Sequence, residues 1–191
     1  MTLKELKIKF PAATLETWHQ HENGGGWVEN TVIVSGTARV EGSAIVKGYA
    51  IVKGSARVEG SARVEGTAVV AGVAVVSDSA VVKGSARVSG SAVVAGVAIV
   101  KGYARVSGSA RVIGGIWKFS PFQIQGSRYF LTVSSHTEIT VGCETHDFEF
   151  WREHYTELGE KHQYTKNEIA EYSMMIRLAV DWAKLKLKNE N

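Results

Sequence analysis

The sequence predicts a mainly β fold, in which many short strands wind into stacked coils before a β-hairpin and two α-helices. Three observations predict it. First, fifteen valines recur every six residues from Val28 to Val112. Second, glycine stands two places after each valine and alanine four places after it. The exceptions are Asn30, Val32, Asp78 and Ile116. Third, the six-residue period gives way towards the C-terminus to the spacings of strands and then of helices. A short period sustained over this length is typical of a repeat architecture.

Within each hexad the valine and the alanine share a period of two, so both side chains point to the same side of a strand. The glycine between them indicates a bend, because it accepts backbone angles that other residues avoid. Burying one valine contributes roughly 1.5–3 kcal/mol, against about 1–2 kcal/mol for ordering the backbone of one residue. A single coil is therefore marginal, and we expect coils to stack and the molecule to associate with copies of itself.

The pattern V-x-G-x-A-x between residues 28 and 117 resembles the hexapeptide-repeat family. The resemblance implies a left-handed parallel β-helix, a prism of triangular cross-section with three hexads in each coil. The hexads then make about five coils that stack about 4.8 Å apart. The resemblance also implies a homotrimer with parallel prism axes and clefts between the protomers.

Residues 1–27 are predicted to cap the first coil, because an uncovered sheet edge promotes aggregation. A strand that ends before Pro11 is expected from the spacing of Leu3, Leu6, Ile8 and Phe10. The run of three glycines that follows lacks the Lys and Ser/Thr of a phosphate-binding P-loop. The segment H-E-N-G-G-G-W-V resembles the entry segment of poorly characterised bacterial and phage hexapeptide-repeat proteins.

Residues 118–191 are predicted to form a C-terminal hairpin and two-helix region. Ile124 stays in phase with the valines, so a ragged sixth coil is expected to extend to Gly126. The runs 128–133 and 138–141 then indicate a β-hairpin. The first helix is expected to place on one face Phe148, Trp151, Tyr155 and Leu158. The second opens with Thr165 and Glu168 at the spacing of a capping box. Its apolar stripe comprises Ile169, Tyr172, Ile176, Ala179 and Ala183.

Composition limits the classes of function. The net charge of +3 does not by itself indicate a nucleic-acid partner. The single Cys143 allows no internal disulfide, which favours a reducing compartment. The sequence has no apolar run of membrane-spanning length and no signal-peptide core. We therefore expect a protein of the cytoplasm, in a bacterium or a phage-infected host cell, with no membrane partner.

No catalytic residue, cofactor or metal site is predicted. Enzymes of the hexapeptide-repeat family are commonly acyltransferases that use a histidine between protomers, but no histidine stands between His21 and His136. Cys143 and His146 form a lone Cys-x-x-His pair, which falls short of the three or four ligands that zinc needs.

The outward-facing positions carry the candidate ligand-binding residues. When the hexads are sorted by threes, one face stacks Lys83 on Lys101 and Arg87 on Arg105, with Tyr103 between the two columns. Such a ladder of like charges fits a phosphate-bearing ligand, although a solvated basic face remains the alternative. The other two faces carry outward apolar residues, which indicate an interface between copies of the chain. These residues are Val73, Val75 and Val93 on one face, and Val81, Val97 and Ile99 on the next.

Three functions follow in order of preference. The first is a non-catalytic homotrimer that holds a small anionic ligand, such as a nucleotide signal, in the clefts between protomers, as a phage-encoded sponge would. The second is a structural or protein-interaction scaffold, in which the prism is a spacer. The third is an acyltransferase, which the missing histidine disfavours.

Overall fold

The computed structural model describes residues 1–187 and is a mainly β protein. A parallel β-solenoid of about five turns precedes an antiparallel sheet and helices, which confirms the predicted fold class. Residues 1–187 contain three helices where the sequence predicted two. The chain divides into two compact units, one of 1–109 and 113–120, the other of 110–112 and the chain from Pro121. The predicted boundaries at residues 27 and 117 stay a prediction, and the last four residues of the predicted 118–191 region lie outside the described residues.

The strands of the solenoid contain two or three residues each. They are β2 (Trp27–Glu29), β3 (Ile33–Val34), β4 (Arg39–Val40), β5 (Ile45–Val46), β6 (Ile51–Val52), β7 (Arg57–Val58), β8 (Arg63–Val64), β9 (Val69–Val70), β10 (Val75–Val76), β11 (Val81–Val82), β12 (Arg87–Val88), β13 (Val93–Val94), β14 (Ile99–Val100), β15 (Arg105–Val106), β16 (Arg111–Val112) and β17 (Ile116–Trp117). They are preceded by β1 (Trp18–Gln20).

Strands three apart in the chain pair in parallel, about 18 residues apart, and so build three faces. The first face contains β2, β5, β8, β11, β14 and β17, with β1 pairing antiparallel to β2. The second face contains β3, β6, β9, β12 and β15. The third face contains β4, β7, β10 and β13. We call the turn that leads from the first face to the second the first corner.

The interior of the solenoid is the predicted column of valine and alanine. Val40, Val70 and Val100 are representative, since each is 0% exposed. The glycines at the bends have positive φ, as at Gly72, where φ is 76°. Glycine is also needed there because the coils approach closely: a Cβ on Gly72 would lie 2.7 Å from the carbonyl oxygen of Gly90.

The N-terminal segment forms a helix, and the predicted strand at Leu3, Leu6, Ile8 and Phe10 is wrong. Helix α1 spans Leu3–Lys9. Thr2 and Glu5 form a capping box, with the Glu5 carboxylate accepting from the Thr2 amide at 2.7 Å. This cap satisfies amide groups that an isolated short helix leaves unpaired. Leu6 packs with Trp18, Trp27 and Ile45 in one buried cluster, so the segment covers the first face of the lowest coils.

The second unit contains a four-stranded antiparallel sheet in the order β18 (Gln123–Gln125), β19 (Phe130–Val133), β20 (Glu138–Val141) and β21 (Glu144–Asp147). The predicted hairpin is β19 and β20. The predicted sixth coil is wrong, because Ile124 pairs antiparallel with Leu131 instead of continuing the solenoid. Ile124 falls in phase with the valines by coincidence, because the alternation of side chains along β18 also places an apolar residue at this position.

Two helices complete this unit, α2 (Phe148–Lys161) and α3 (Lys166–Leu187). The capping box that opens α3 is present, because the Thr165 amide donates to the Glu168 carboxylate at 2.6 Å and the Glu168 amide donates to the Thr165 hydroxyl at 3.3 Å. The Arg128 guanidinium makes two hydrogen bonds to the Glu168 carboxylate, at 2.6 and 3.0 Å. This ion pair joins the sheet to the helices. No helix within residues 1–187 is long and apolar enough to cross a membrane.

Candidate functional site

The structure places the five predicted ligand-binding residues around the first corner rather than on one flat face. Lys83 and Lys101 follow β11 and β14 directly, at the start of the corner. Arg87 and Arg105 begin β12 and β15 and so belong to the second face. Sorting by hexad had placed the arginines with the lysines, but the chain bends at each intervening glycine. Tyr103 lies in the bend between the lysine and the arginine.

The two lysines are stacked on adjacent coils. The backbone amide of Lys83 donates to the carbonyl oxygen of Val100, the residue before Lys101, at 2.9 Å. Coils at this spacing place equivalent residues about 4.8 Å apart. Lower in the same column the charges alternate, from Glu29 through Lys47 to Glu65. The upper part of the column is therefore the part where like charges are adjacent.

The two arginines form a second ladder on the other side of the corner. Arg87 and Arg105 are direct partners in the parallel register of β12 and β15. Both side chains are exposed. The residue below them in this column is Val69, which is paired with Arg87. In this column, positive charge is thus confined to the upper coils.

Tyr103 is 85% exposed at the middle of the corner. A second tyrosine occupies the same column three coils below, and Tyr49 is 72% exposed. The two positions between them carry hydroxyl groups, and the Thr67 and Ser85 hydroxyls are 3.1 Å apart. Exposed tyrosines of this kind present a flat aromatic surface with a polar tip to a ligand.

Arginines in the lower coils differ because each forms an ion pair with a glutamate two residues further along the chain. Arg39 contacts Glu41 at 2.6 Å, and Arg57 contacts Glu59 at 2.5 Å. The local sequence at these positions is R-V-E, and Arg63 pairs with Glu65 in the same way. At Arg87 and at Arg105 the sequence is instead R-V-S. The glutamate that follows Arg39, Arg57 and Arg63 two residues on is therefore replaced by serine at both positions.

The absence of acid extends well beyond the corner. Between Asp78 and Glu138 the sequence contains no Asp or Glu. Seven basic residues lie in this interval: Lys83, Arg87, Lys101, Arg105, Arg111, Lys118 and Arg128. The overall net charge of +3 does not reveal this basic segment, because acidic residues elsewhere in the chain offset its positive charge.

The predicted apolar residues form columns in register. Val75 pairs with Val93 on the third face, and Val81 pairs with Ile99 on the first face. Val73 and Val97 lie in the bends, where they are 56% and 73% exposed. Because Ile99 is two residues before Lys101, the apolar column of the first face directly adjoins the basic corner.

The second unit contains a separate cluster of titratable groups around Glu144. Its carboxylate contacts His162 at 2.8 Å, His146 at 3.1 Å and Lys161 at 3.3 Å. The hydrogen bonds from His162 and then His146 lower the pKa of Glu144 to about 2, against a burial effect that raises it. Cys143 beside it is exposed. No group of three or more His, Cys, Asp or Glu in residues 1–187 is placed to hold a metal ion.

The same unit has a small apolar cavity of about 50 Å³ between its sheet and its helices. Its lining includes Trp151, Tyr164 and Ile176. Burial raises the pKa of Tyr164 well above its ordinary value. A space of this volume holds only a few water molecules, so it is too small for a nucleotide.

Comparisons of the chain with protein-family models, with curated proteins and with solved structures gave no match.

Proposed function

We propose that the protein is a non-catalytic homotrimer that holds a small anionic ligand, such as a nucleotide, at the first corner. The observation that carries the proposal is the local replacement of R-V-E by R-V-S in the upper coils. In the solenoid, Arg39 and Arg57 form ion pairs with glutamates, whereas Arg87 has no carboxylate partner within residues 1–187. An arginine that has the same place in its hexad but no paired acid is suited to receive negative charge from a ligand.

Electrostatic repulsion between like charges in adjacent coils favours the binding of an anion. Two unit charges about 4.8 Å apart repel by about 1 kcal/mol even at the dielectric constant of water. Lys101 is stacked on Lys83 and Arg105 on Arg87, so side chains that stay at the spacing of the coils bear this repulsion. A phosphate between two such cations replaces repulsion with charge-assisted hydrogen bonds, and arginine binds phosphate in a bidentate geometry. The exposed ring of Tyr103 adds a stacking surface, which contributes roughly 1–3 kcal/mol for a nucleobase.

The homotrimer is part of the same proposal. A corner of one prism is convex, so a ligand there is enclosed only if a second copy provides the opposite wall. The apolar columns of Val75 with Val93 and of Val81 with Ile99 support association. The first-face column adjoins Lys83 and Lys101, so an interface along it brings the basic corner to the edge of the contact. The resemblance to the left-handed hexapeptide-repeat family favours three copies with parallel axes.

The experiment is isothermal titration calorimetry of the purified protein with a panel of nucleotides, together with light scattering for the oligomeric mass. The expected result is a trimeric mass and binding of at least one nucleotide. The variant Lys83→Ala with Arg87→Ala is expected to lose that binding. Arg57→Ala is the matched control, because Arg57 also stands directly before a valine of the repeat but its charge is already paired with Glu59. The proposal is abandoned if no nucleotide binds, or if the control loses binding equally.

A sequestering role in a phage-infected cell is the cellular form of this proposal. It is supported by the resemblance of the segment H-E-N-G-G-G-W-V to bacterial and phage hexapeptide-repeat proteins. Expression of the protein in a bacterial cytoplasm, followed by mass spectrometry of small molecules released from the purified protein, tests it. Release of a host nucleotide supports sequestration, and a preparation free of nucleotides after gentle purification contradicts it.

A protein-interaction scaffold is the second candidate, and helix α3 favours it. Met174, Leu178 and Leu185 lie on this helix and are 62%, 54% and 72% exposed. Their spacing places them along one side of the helix, away from the buried face that includes Ile176 and Ala179. Cross-linking of the full-length protein in cells distinguishes the candidates. A specific partner cross-linked by wild type and lost in Leu178→Lys supports the scaffold.

A further inference from the structure

We infer that a cleft between the N-terminal segment and the lower coils of the solenoid binds a phosphorylated sugar. The cleft has a volume of about 610 Å³ and is bounded by residues 9–18 on one side and by the lower part of the first corner on the other. We call it the N-terminal cleft. All of its lining residues belong to the first compact unit. They include Lys9, Phe10, Trp18, Glu29, Lys47 and Glu65. The inference concerns a different site from the proposed nucleotide site and does not depend on it.

The N-terminal cleft has the size of a metabolite site. Ligand pockets in proteins typically have volumes of about 300–1,000 Å³ and enclose most of the surface of a small molecule. A water molecule takes up about 30 Å³ of the liquid, so an inorganic ion alone leaves most of this cleft unfilled. The two walls come from one chain, so the cleft is concave without a second copy, unlike the corner of the upper coils.

Two lysines, one from each wall, provide positive charge. Lys9 is the last residue of α1, and Lys47 directly follows β5. Within residues 1–187, neither ammonium group forms an ion pair with a carboxylate. The Lys47 ammonium instead lies over the ring of Phe10, 4.8 Å from its centroid, and this cation–π contact holds it in place. A phosphate monoester carries a charge of about −1.5 to −2 near pH 7, which two lysines match.

Two glutamates in the same cleft call for hydrogen-bond donors on the ligand. The Glu29 carboxylate accepts from the amide of Gly48 at 2.6 Å, and the Glu65 carboxylate pairs with Arg63. An ionised carboxylate has about four acceptor sites and no donor, so both glutamates can accept further hydrogen bonds. A bare anion would face these carboxylates with nothing to donate. Sugar hydroxyl groups donate as well as accept, so a sugar phosphate matches the glutamates through its hydroxyls and the lysines through its phosphate.

The aromatic rings of the cleft are engaged within the protein, which disfavours a nucleobase as ligand. Phe10 stacks on Trp18 with the ring centroids 5.3 Å apart, and Phe10 also carries the Lys47 ammonium. Trp18 is only 5% exposed. Nucleobases in binding grooves typically stack on free aromatic side chains. The remaining wall is apolar and suits the C–H groups of a sugar ring, and it consists of Pro11, Ala12 and Ala13.

The experiment is calorimetric titration of the full-length variant Lys83→Ala with Arg87→Ala, in which the proposed nucleotide site is neutralised. The probes are ribose 5-phosphate and glucose 6-phosphate, the neutral sugars ribose and glucose, inorganic phosphate, and AMP. At least one sugar phosphate is expected to bind about tenfold or more tightly than its neutral sugar and than inorganic phosphate, because only the sugar phosphate uses both the lysines and the glutamates. AMP is expected to bind no more tightly than ribose 5-phosphate.

Three outcomes overturn the inference. Inorganic phosphate that binds as tightly as the sugar phosphates shows an anion site without sugar recognition. AMP that binds more tightly than ribose 5-phosphate assigns the cleft to a nucleotide. Failure of both sugar phosphates to bind removes the site altogether. The proposed nucleotide site is titrated separately in wild type, so it stands or falls independently of these results.

Substitutions in the cleft locate the ligand. Lys9→Met and Lys47→Met are each expected to weaken binding of the sugar phosphate about tenfold, and Lys9 is exposed, so its replacement leaves the core intact. Lys53→Met is the matched control, because Lys53 also directly follows a valine of the repeat but does not line the cleft. Glu65→Gln is expected to weaken binding of the sugar phosphate and not of inorganic phosphate. Unchanged affinity for the sugar phosphate in both lysine variants places the ligand elsewhere and also overturns the inference.

Discussion

The glycines at the bends of the solenoid make a quantitative prediction, because the structure separates two reasons for their presence. Gly72 has φ of 76°, and a Cβ there would lie 2.7 Å from the carbonyl oxygen and 3.1 Å from the amide nitrogen of Gly90. Gly25 has nearly the same φ, 70°, but no atom lies within 4 Å of its notional Cβ. Alanine at Gly25 therefore introduces only backbone strain, whereas alanine at Gly72 also forces adjacent coils apart.

The magnitudes follow from these two effects. A non-glycine residue in the left-handed region destabilises by about 1–2 kcal/mol, so Gly25→Ala is expected to lower the free energy of unfolding by this amount. Overpacking typically adds about 1–3 kcal/mol, which gives about 2–5 kcal/mol for Gly72→Ala. The obstructing atoms at Gly72 belong to the backbone and have no rotamer by which to move away.

The assay is urea denaturation followed by circular dichroism, with the slope checked against wild type so that a change in midpoint reports stability. Gly72→Asn is a third variant, because asparagine tolerates the left-handed region but still carries a Cβ. It is expected to remain destabilised at Gly72. Equal losses at Gly25 and Gly72 would refute the reasoning, because they would mean that glycine is required only for its backbone angles.

Three further predictions concern other parts of the chain. Asp78 is a non-glycine residue at φ of 58°, and its carboxylate accepts a hydrogen bond from the amide of Gly96 at 2.9 Å. Asp78→Gly is expected to change the free energy of unfolding by less than about 1 kcal/mol. Asp78→Ala is expected to lower it by about 1–2 kcal/mol, because alanine keeps the backbone strain and loses the hydrogen bond. Leu6 is 0% exposed and Ile8 is 78% exposed on the same helix, so Leu6→Ala is expected to lower stability by about 2–5 kcal/mol and Ile8→Ala by no more than about 0.5 kcal/mol. The pKa of Glu144 is about 2 in the folded protein, below its ordinary value of 4.5, so its contribution to stability is present above pH 4.5 and is lost as the pH falls towards 2. Urea midpoints between pH 5 and pH 2 are expected to fall less steeply in Glu144→Gln than in wild type.

These predictions have separate points of failure. A large loss of stability in Asp78→Gly would mean that the aspartate organises its turn by more than one hydrogen bond. Equal effects of Leu6→Ala and Ile8→Ala would show that α1 does not cover the first face in solution. A Glu144→Gln variant with the pH dependence of wild type would mean that other carboxylates account for the acid transition, and Glu168 is the first to test because its pKa is also about 2.

Much of the fold was predictable because the repeat acts through local geometry. Val and Ala at a spacing of two, with glycine at the bend, place the same side chains inward in every coil, and one coil predicts the next. The capping box of Thr165 with Glu168 was also visible in the sequence, since it involves residues three apart. The N-terminal helix was missed, although Thr2 and Glu5 have the same spacing. Its apolar residues were assigned to a strand because the segment is too short for either period to be decisive.

The candidate site could likewise be predicted from the sequence only in part. The identity of its five residues came from counting along the chain, but their arrangement did not. Whether Arg87 lies beside Lys83 or around a bend from it depends on where the chain turns within the hexad, and the sequence pattern alone is compatible with both. The difference between R-V-E and R-V-S became meaningful only once the structure showed that the side chains of Arg39 and Glu41 are in contact.

The sequence by itself determined the period, the residues that face inward and the bends, because each of these depends on interactions within a few residues of the chain. The tertiary structure decided on which side of the bend at Tyr103 each predicted ladder lies, that helix α1 covers Ile45, and that Ile124 pairs with Leu131. Those contacts join residues separated by 18 or more positions in the ladders and by 39 between Leu6 and Ile45. Their free energy comes from burial and register, which no local spacing encodes.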